Sequence, residues 1–217
     1  MLKHIKENFL SYECICCGYT VGKSNSLFCS KCEEELKNIL HDDNHEIISC
    51  FDYSSDAVKE LVITMKNYKI KEVYKFSAKH IADKLKAKNI KDLDAYKIAF
   101  APRSALSLLK SGFDQSYEIG KYLSHELFGT KNRCIVLFGR SIFSKQQKFL
   151  NSSQRRDNAN DNLYILPFTK TPDNLIILDD ITTTGSTLFA LRELASENGA
   201  KNIILCTVAK QKLPNRA

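Results

Sequence analysis

Residues 175–187 read LIILDDITTTGST. Leu175, Ile176, Ile177 and Leu178 make a short unbroken apolar run, the signature of a strand buried on both faces. Asp179 and Asp180 follow at once. After Ile181 comes a loop of hydroxyls around one glycine: Thr182, Thr183, Thr184, Gly185, Ser186 and Thr187. Leu188, Leu191, Leu194 and Ala195 then recur at helical spacing up to Gly199, so a helix opens where the loop ends. N–H groups at a helix start form a phosphate cradle, and the helix aims its positive end at the same spot. No Lys follows the glycine and no Gly-x-Gly-x-x-Gly is present, so neither a nucleoside-triphosphate loop nor a dinucleotide loop fits. Two adjacent acids beside such a cradle suit a pair of ribose hydroxyls, met directly or through Mg²⁺.

Outward from this segment, strand and helix patterns alternate. Residues 47–51 are a short apolar run, and residues 96–101 (YKIAFA) read as a buried strand ending at Pro102. Val58, Leu61, Val62 and Met65 follow helical spacing, as do Val73, Phe76, Ile81 and Leu85, and again Ile119, Tyr122, Leu123 and Leu127. Residues 134–138 (CIVLF), 163–166 and 203–208 read as further strands. This order predicts an α/β fold built on a mostly parallel sheet. Residues 139–162 are polar, basic and aperiodic, which predicts a long loop or hood of the kind that serves function.

Five of the eight cysteines fall between positions 14 and 32. Cys14 and Cys17 form one pair, Cys29 and Cys32 a second with the same spacing. Four thiolates close a tetrahedral site and suit structural Zn²⁺. Cys16 is an alternative member of the first pair. A Cys29/Cys32/His41/His45 set is another, with a short gap. Residues 1–45 are therefore read as a zinc ribbon module with a short helix over 33–40, and residues 46–217 as the main domain. Cys50, Cys134 and Cys206 stand singly in apolar stretches and read as small buried hydrophobes.

The 217 residues are 43% hydrophobic and 26% charged, enough apolar material for a core and too much for disorder. No apolar run nears the roughly 18 residues of a membrane helix, and MLKHIKENFL at the start lacks a signal-peptide apolar region. A cytoplasmic protein without stable membrane insertion is expected. The net charge of +7 has a location: residues 127–156 hold no Asp or Glu, but contain Lys131, Arg133, Arg140, Lys145, Lys148, Arg155 and Arg156. Such a stretch either clamps a highly charged small anion or tracks a nucleic-acid backbone. Phe143 and Phe149 are placed to stack unpaired bases, whereas Phe138, inside an expected strand, reads as core.

Residues 176–187 resemble the phosphoribosyl-pyrophosphate (PRPP) loop of type I phosphoribosyltransferases: hydrophobics, two acids, a hydrophobic, two variable residues, then Thr-Gly-x-Thr. A cysteine ribbon ahead of such a domain resembles the ComF competence family (the ComFC proteins). So do Arg103 after Ala101 and Pro102, the element Gly112, Phe113, Asp114, Gln115, and Gln147, Leu150, Arg155 and Asn158 in the basic loop. The resemblance covers residues 12–210. Ser111 and Asp114 stand where that family has Arg and Asn.

The resemblance implies a type I phosphoribosyltransferase-like parallel sheet flanked by helices, preceded by a small four-cysteine zinc ribbon. It implies PRPP with Mg²⁺ as ligand, held by Asp179, Asp180, Thr182, Thr183, Thr184, Gly185, Ser186 and Thr187, with the two acids as catalytic residues. Pyrophosphate or DNA would meet Arg103, Arg140, Lys145, Lys148, Arg155 and Arg156. It further implies a role in DNA uptake during natural transformation, with single-stranded DNA and a competence helicase or recombination mediator as partners. The alternative is an active phosphoribosyltransferase in nucleotide salvage or a related transfer. Thr183 occupies the loop position where purine enzymes often carry an Asp base, which leaves activity and acceptor open.

Overall fold

The first cysteine pair sits in a tight knuckle between β1 (Tyr12–Glu13) and β2 (Thr20–Val21), an antiparallel pair. Cys14 N donates to Tyr19 O, and Gly18 N returns to Cys14 O, each at 2.8 Å. Gly18 takes φ +71 there, a left-handed turn that L side chains resist. The second pair begins α1 (Ser30–Asn38), which starts three residues ahead of the expected helix. These features come from a computed structural model that describes residues 12–21, 27–38, 46–103, 114–141 and 162–211.

The main chain then alternates as its periodicities predict: β3 (Ile47–Asp52), α2 (Asp56–Asn67), α3 (Lys71–Ala87), β4 (Lys97–Phe100), α4 (Gln115–Phe128), β5 (Phe138–Arg140), β6 (Leu163–Ile165), β7 (Asn174–Thr182), α5 (Ser186–Glu197) and β8 (Asn202–Lys210). Four strands make one parallel sheet in the order β3-β8-β7-β4. Successive strand residues point to opposite faces, and both faces are dry. Ile176 and Leu178 join a core with Val58, Ile81 and Ile119 from α2, α3 and α4. Leu175 and Ile177 join Leu188 and Leu191 of α5 on the other side. The parallel sheet flanked by helices, expected from the sequence, is what forms.

The ribbon does not stand apart. Cys14, Phe28 and Leu36 belong to the same buried cluster as Val58 and Leu61, so that cluster spans position 45. The Phe28 and Phe76 ring centroids lie 4.7 Å apart, and Ser55 Oγ donates to Glu35 Oε1 at 3.1 Å.

Two expectations are corrected. Residues 134–138 do not form one strand. Cys134 makes a single parallel bridge to Ile98, with Ile135 N donating to Ile98 O at 2.8 Å. The chain then turns away, and Phe138–Arg140 pairs antiparallel with Leu163–Ile165. Leu137 and Phe138, consecutive residues, are both buried, a pattern a half-covered edge strand cannot give. β7 also runs four residues past Leu178, because β8 continues beside it and pairs Thr182 with Lys210. Asp179 and Asp180 are thus strand residues. Among the described residues, no helix is long and apolar enough to cross a membrane.

Candidate functional site

Strands β4 and β7 are neighbours, but the helices that follow them leave in opposite directions, α4 to one face and α5 to the other. A crevice opens at such a switch point, at the carboxyl ends of the strands. Register decides what meets there. Phe100 pairs with Leu178, and Ala101 N donates to Leu178 O at 2.8 Å. Pro102 has no N–H and ends the ladder. Arg103 therefore emerges opposite Asp179 and Asp180.

Gln115, in the first turn of α4, sits between them with no exposed surface. Arg103 Nη1 donates to Gln115 Oε1 at 2.5 Å, and Gln115 Nε2 donates to Asp180 Oδ2 at 3.2 Å. Lys66, near the end of α2, brings its Nζ to 3.8 Å from the same Oδ2. Asp114 caps α4, its Oδ1 accepting from Tyr117 N at 3.1 Å. Asp and Asn serve equally as such a cap, so the local structure accepts Asp114. Burial raises the Asp114 carboxyl above its ordinary range, against the opposing pull of the Tyr117 amide and Arg103.

Lys66, Arg103, Gln115 and Asp180 line a cavity of about 320 Å³, together with Arg140, Thr187 and Asp179. Burial, then the neighbouring Asp180 carboxylate, pushes Asp179 well above the usual carboxylate range. Asp180 N donates to Asp179 Oδ1 at 2.9 Å, which holds the acid in place. Two crowded carboxylates of this kind gain when a cation replaces a proton. A divalent ion on Asp179 and Asp180 would neutralise both the acids and a polyanionic ligand.

Of the hydroxyl loop, Thr187 reaches the cavity, whereas Thr183, Thr184 and Ser186 are exposed around the start of α5. Gly185 is its N-cap at φ +83. A Cβ there would lie 2.5 Å from Ile47 Cδ1 and 2.9 Å from Phe189 Cε2. Ser186 N donates to Thr184 Oγ1 at 3.4 Å. Thr182 is buried at the strand end, its carbonyl accepting from Gln211 N at 2.9 Å. Arg140, at the end of β5, lines the cavity. Lys145, Lys148, Arg155 and Arg156 lie outside the described residues, as do Ser111, Gly112, Phe113, Gln147, Leu150 and Asn158.

Sequence reasoning named Arg103, Arg140, Asp179, Asp180 and Thr187, which converge. It did not assign Lys66 or Gln115 to the site. Gln115 lies next to the capping residue Asp114, a signal that places it at a helix start and hence near a strand end. Lys66 carries no local signal, since its partner is far away in sequence.

The four thiols of Cys14, Cys17, Cys29 and Cys32 lie within 4.8 Å of one another, with Cys17 and Cys29 Sγ at 3.7 Å. A tetrahedron with Zn–S near 2.3 Å has edges of about 3.8 Å, so the set fits zinc. Cys16 is turned away and donates to Ala57 O at 3.4 Å. Burial opposes ionisation of Cys14, but amides of Cys29, Cys17 and Cys16 outweigh it and bring the thiol down to about 7. His41 and His45 lie outside the described residues. Cys50 and Cys206 are buried as expected; Cys134 is half-buried.

No family model matches the chain, and no curated protein does. Solved structures do. A hypoxanthine-guanine phosphoribosyltransferase from Bacillus anthracis is 15% identical, with 68% of this chain and 74% of that one covered at a TM-score of 0.38. A hypoxanthine phosphoribosyltransferase from Staphylococcus aureus is 11% identical, with 67% and 75% covered at 0.38. The allosteric regulatory enzyme of purine biosynthesis is 14% identical, with 72% and 31% covered at 0.37.

Proposed function

We propose that the cavity between β4 and β7 binds PRPP with Mg²⁺. The observation that carries this reading is the convergence of Arg103, Gln115 and Asp180 beside the start of α5, around one cavity. Asp179 and Asp180 accept hydrogen bonds from the two ribose hydroxyls. The 5′-phosphate rests on the N–H groups and hydroxyls of the loop Thr183, Thr184, Gly185, Ser186 and Thr187, aided by the helix dipole. Lys66, Arg103 and Arg140 attract the pyrophosphate. Mg²⁺ supplies charge neutralisation between acids and phosphates. If transfer occurs, the cations stabilise the departing pyrophosphate, and the acids balance positive charge at the sugar.

A second ligand, single-stranded DNA, is favoured by the acid-free stretch at residues 127–156 and by the ComF-like motifs. On that reading the protein works in DNA uptake during natural transformation, with a helicase or recombination mediator. The rival is a phosphoribosyltransferase of nucleotide salvage. Titrating labelled single-stranded DNA and PRPP into one preparation at two salt concentrations tests both ligands. DNA affinity should fall steeply with salt, and PRPP affinity much less. Pyrophosphate released from PRPP in the presence of a base or amine would favour the salvage enzyme.

A further inference from the structure

Both oxygens of Asp180 already have partners within the chain. Oδ1 accepts from Ile181 N at 2.8 Å. Oδ2 accepts from Gln115 Nε2 at 3.2 Å and faces Lys66 Nζ at 3.8 Å. Room for a divalent cation on Asp180 has to come from one of these three. Two are fixed. Ile181 is backbone in a strand paired with Ala209, and Gln115 is wholly buried with its Oε1 held by Arg103. Lys66 is free to leave. Its side chain is 38% exposed, and 3.8 Å is an ion pair, too long for a hydrogen bond.

The main chain under Lys66 is anchored while its head can move. Met65 is buried, and Tyr74 Oη lies 3.2 Å from Met65 O and 3.0 Å from Tyr68 O, which pins the end of α2 against α3. From that base a flexible four-carbon stem reaches the cavity that Asp179, Asp180 and Arg103 also line. Lys66 acts on both acids. Burial raises the Asp179 carboxyl, and Lys66 is among the groups that oppose the rise. An ammonium so placed stands where a metal ion would, with one charge in place of two.

We propose that Lys66 is an exchangeable counter-ion: in the free chain it neutralises Asp180 and keeps divalent cations weakly bound, and when a metal-bound phosphate ligand arrives it moves from the carboxylate to the phosphate. This rests on the reading of the cavity as a PRPP–Mg²⁺ site. One ion pair is exchanged for another, so metal and polyanion enter together and Lys66 keeps a partner throughout. The probe is Mn²⁺, followed by the EPR signal of the free ion, titrated into the full zinc-loaded chain without PRPP. Lys66→Met should bind Mn²⁺ about tenfold more tightly than wild type, the worth of removing a unit charge a few ångström from a divalent ion in water-like surroundings. Lys66→Arg keeps the charge and should stay close to wild type. Lys75→Met, at an exposed lysine of α3, removes the same charge away from the cavity and should change nothing. With saturating Mg²⁺, Lys66→Met should bind PRPP about fivefold or more weakly. Unchanged or undetectable Mn²⁺ binding in Lys66→Met, an equal rise in Lys75→Met, or undiminished PRPP affinity in Lys66→Met would each overturn the proposal. Lys66→Gln, also uncharged, repeats the comparison should the methionine variant fail to fold. A wild type that binds no PRPP would contradict the PRPP reading, which the Mn²⁺ comparison does not use.

Discussion

Gln115 Nε2 donates to Asp180 Oδ2 across 3.2 Å from a side chain with no exposed surface. Its Oε1 is taken by Arg103. One amide thus presents a donor to the acid and an acceptor to the cation, and holds the two at a fixed separation. Neither a carboxylate nor an ammonium in its place satisfies both neighbours.

Gln115→Glu keeps the acceptor for Arg103 but sets a second carboxylate against Asp180. Burial and like charge raise a carboxyl, so the new Glu is held protonated in the fold and ionises when unfolded. The variant should be less stable than wild type at neutral pH, and the deficit should shrink as pH falls towards the ordinary carboxyl range. PRPP–Mg affinity at pH 7 should drop, because the proton held between the two acids competes with Mg²⁺ for Asp180. Thermal melts across pH and calorimetry check the two outcomes.

Asp179 carries the opposite trade. Its folded-state carboxyl is raised by burial and by Asp180. Below the unfolded value both states are protonated and the group is neutral in effect. As pH rises through the unfolded value, the unfolded chain ionises first and stability falls. Asp179→Asn removes that cost and keeps an oxygen for Asp180 N. The variant should melt higher than wild type at pH 7, match it below about pH 4, and bind PRPP more weakly. Paired melting curves at pH 4 and 7 read this directly.

Gly185 combines φ +83 with close neighbours, Ile47 Cδ1 and Phe189 Cε2. Gly185→Ala adds a left-handed alanine and a contact that side chains must yield to. A loss of about 1–3 kcal/mol is expected, read as a shifted denaturant midpoint. PRPP affinity should fall more than in Thr183→Ser, because the cradle is backbone.

Much of this was readable beforehand, and the unreadable part has a physical cause. The β7 segment announced itself because a doubly buried strand is apolar throughout, and because hydroxyls around a glycine just ahead of helical spacing mark this helix start, where φ turns positive at Gly185. The cysteine pairs were legible because ligand spacing is local. Residues 134–138 misled: five apolar residues record burial, not which partner provides it. Cys134 takes the sheet edge while Phe138 takes β6. Lys66 was invisible because its charge meets Asp180 only through the crossing of α2 over the sheet, and nothing in its neighbourhood differs from a solvated helix end. The fit between ribbon and domain was also hidden. Phe28 and Leu36 fall within the segment read as a separate module, yet they are buried with Val58 and Leu61.

That shared core gives metal removal a consequence beyond the ribbon. Cys17 is exposed, so Cys17→Ser removes one of the four thiols that fit zinc without opening a cavity. Metal content by mass spectrometry should fall, and the main thermal transition should move down with it, because α2 loses packing from Phe28 and Leu36. A lowered metal content with an unmoved transition would mean the ribbon is energetically separate.

The most direct test is calorimetric titration of PRPP with Mg²⁺ into the wild-type chain, Arg103→Gln and Asp179→Asn. Wild type should show saturable binding at one site per chain. Each variant should weaken it about tenfold or more, the cost of one charged contact to a polyanion or its ribose. Absence of saturable heat in wild type, or equal affinity in all three, would contradict a PRPP site between β4 and β7.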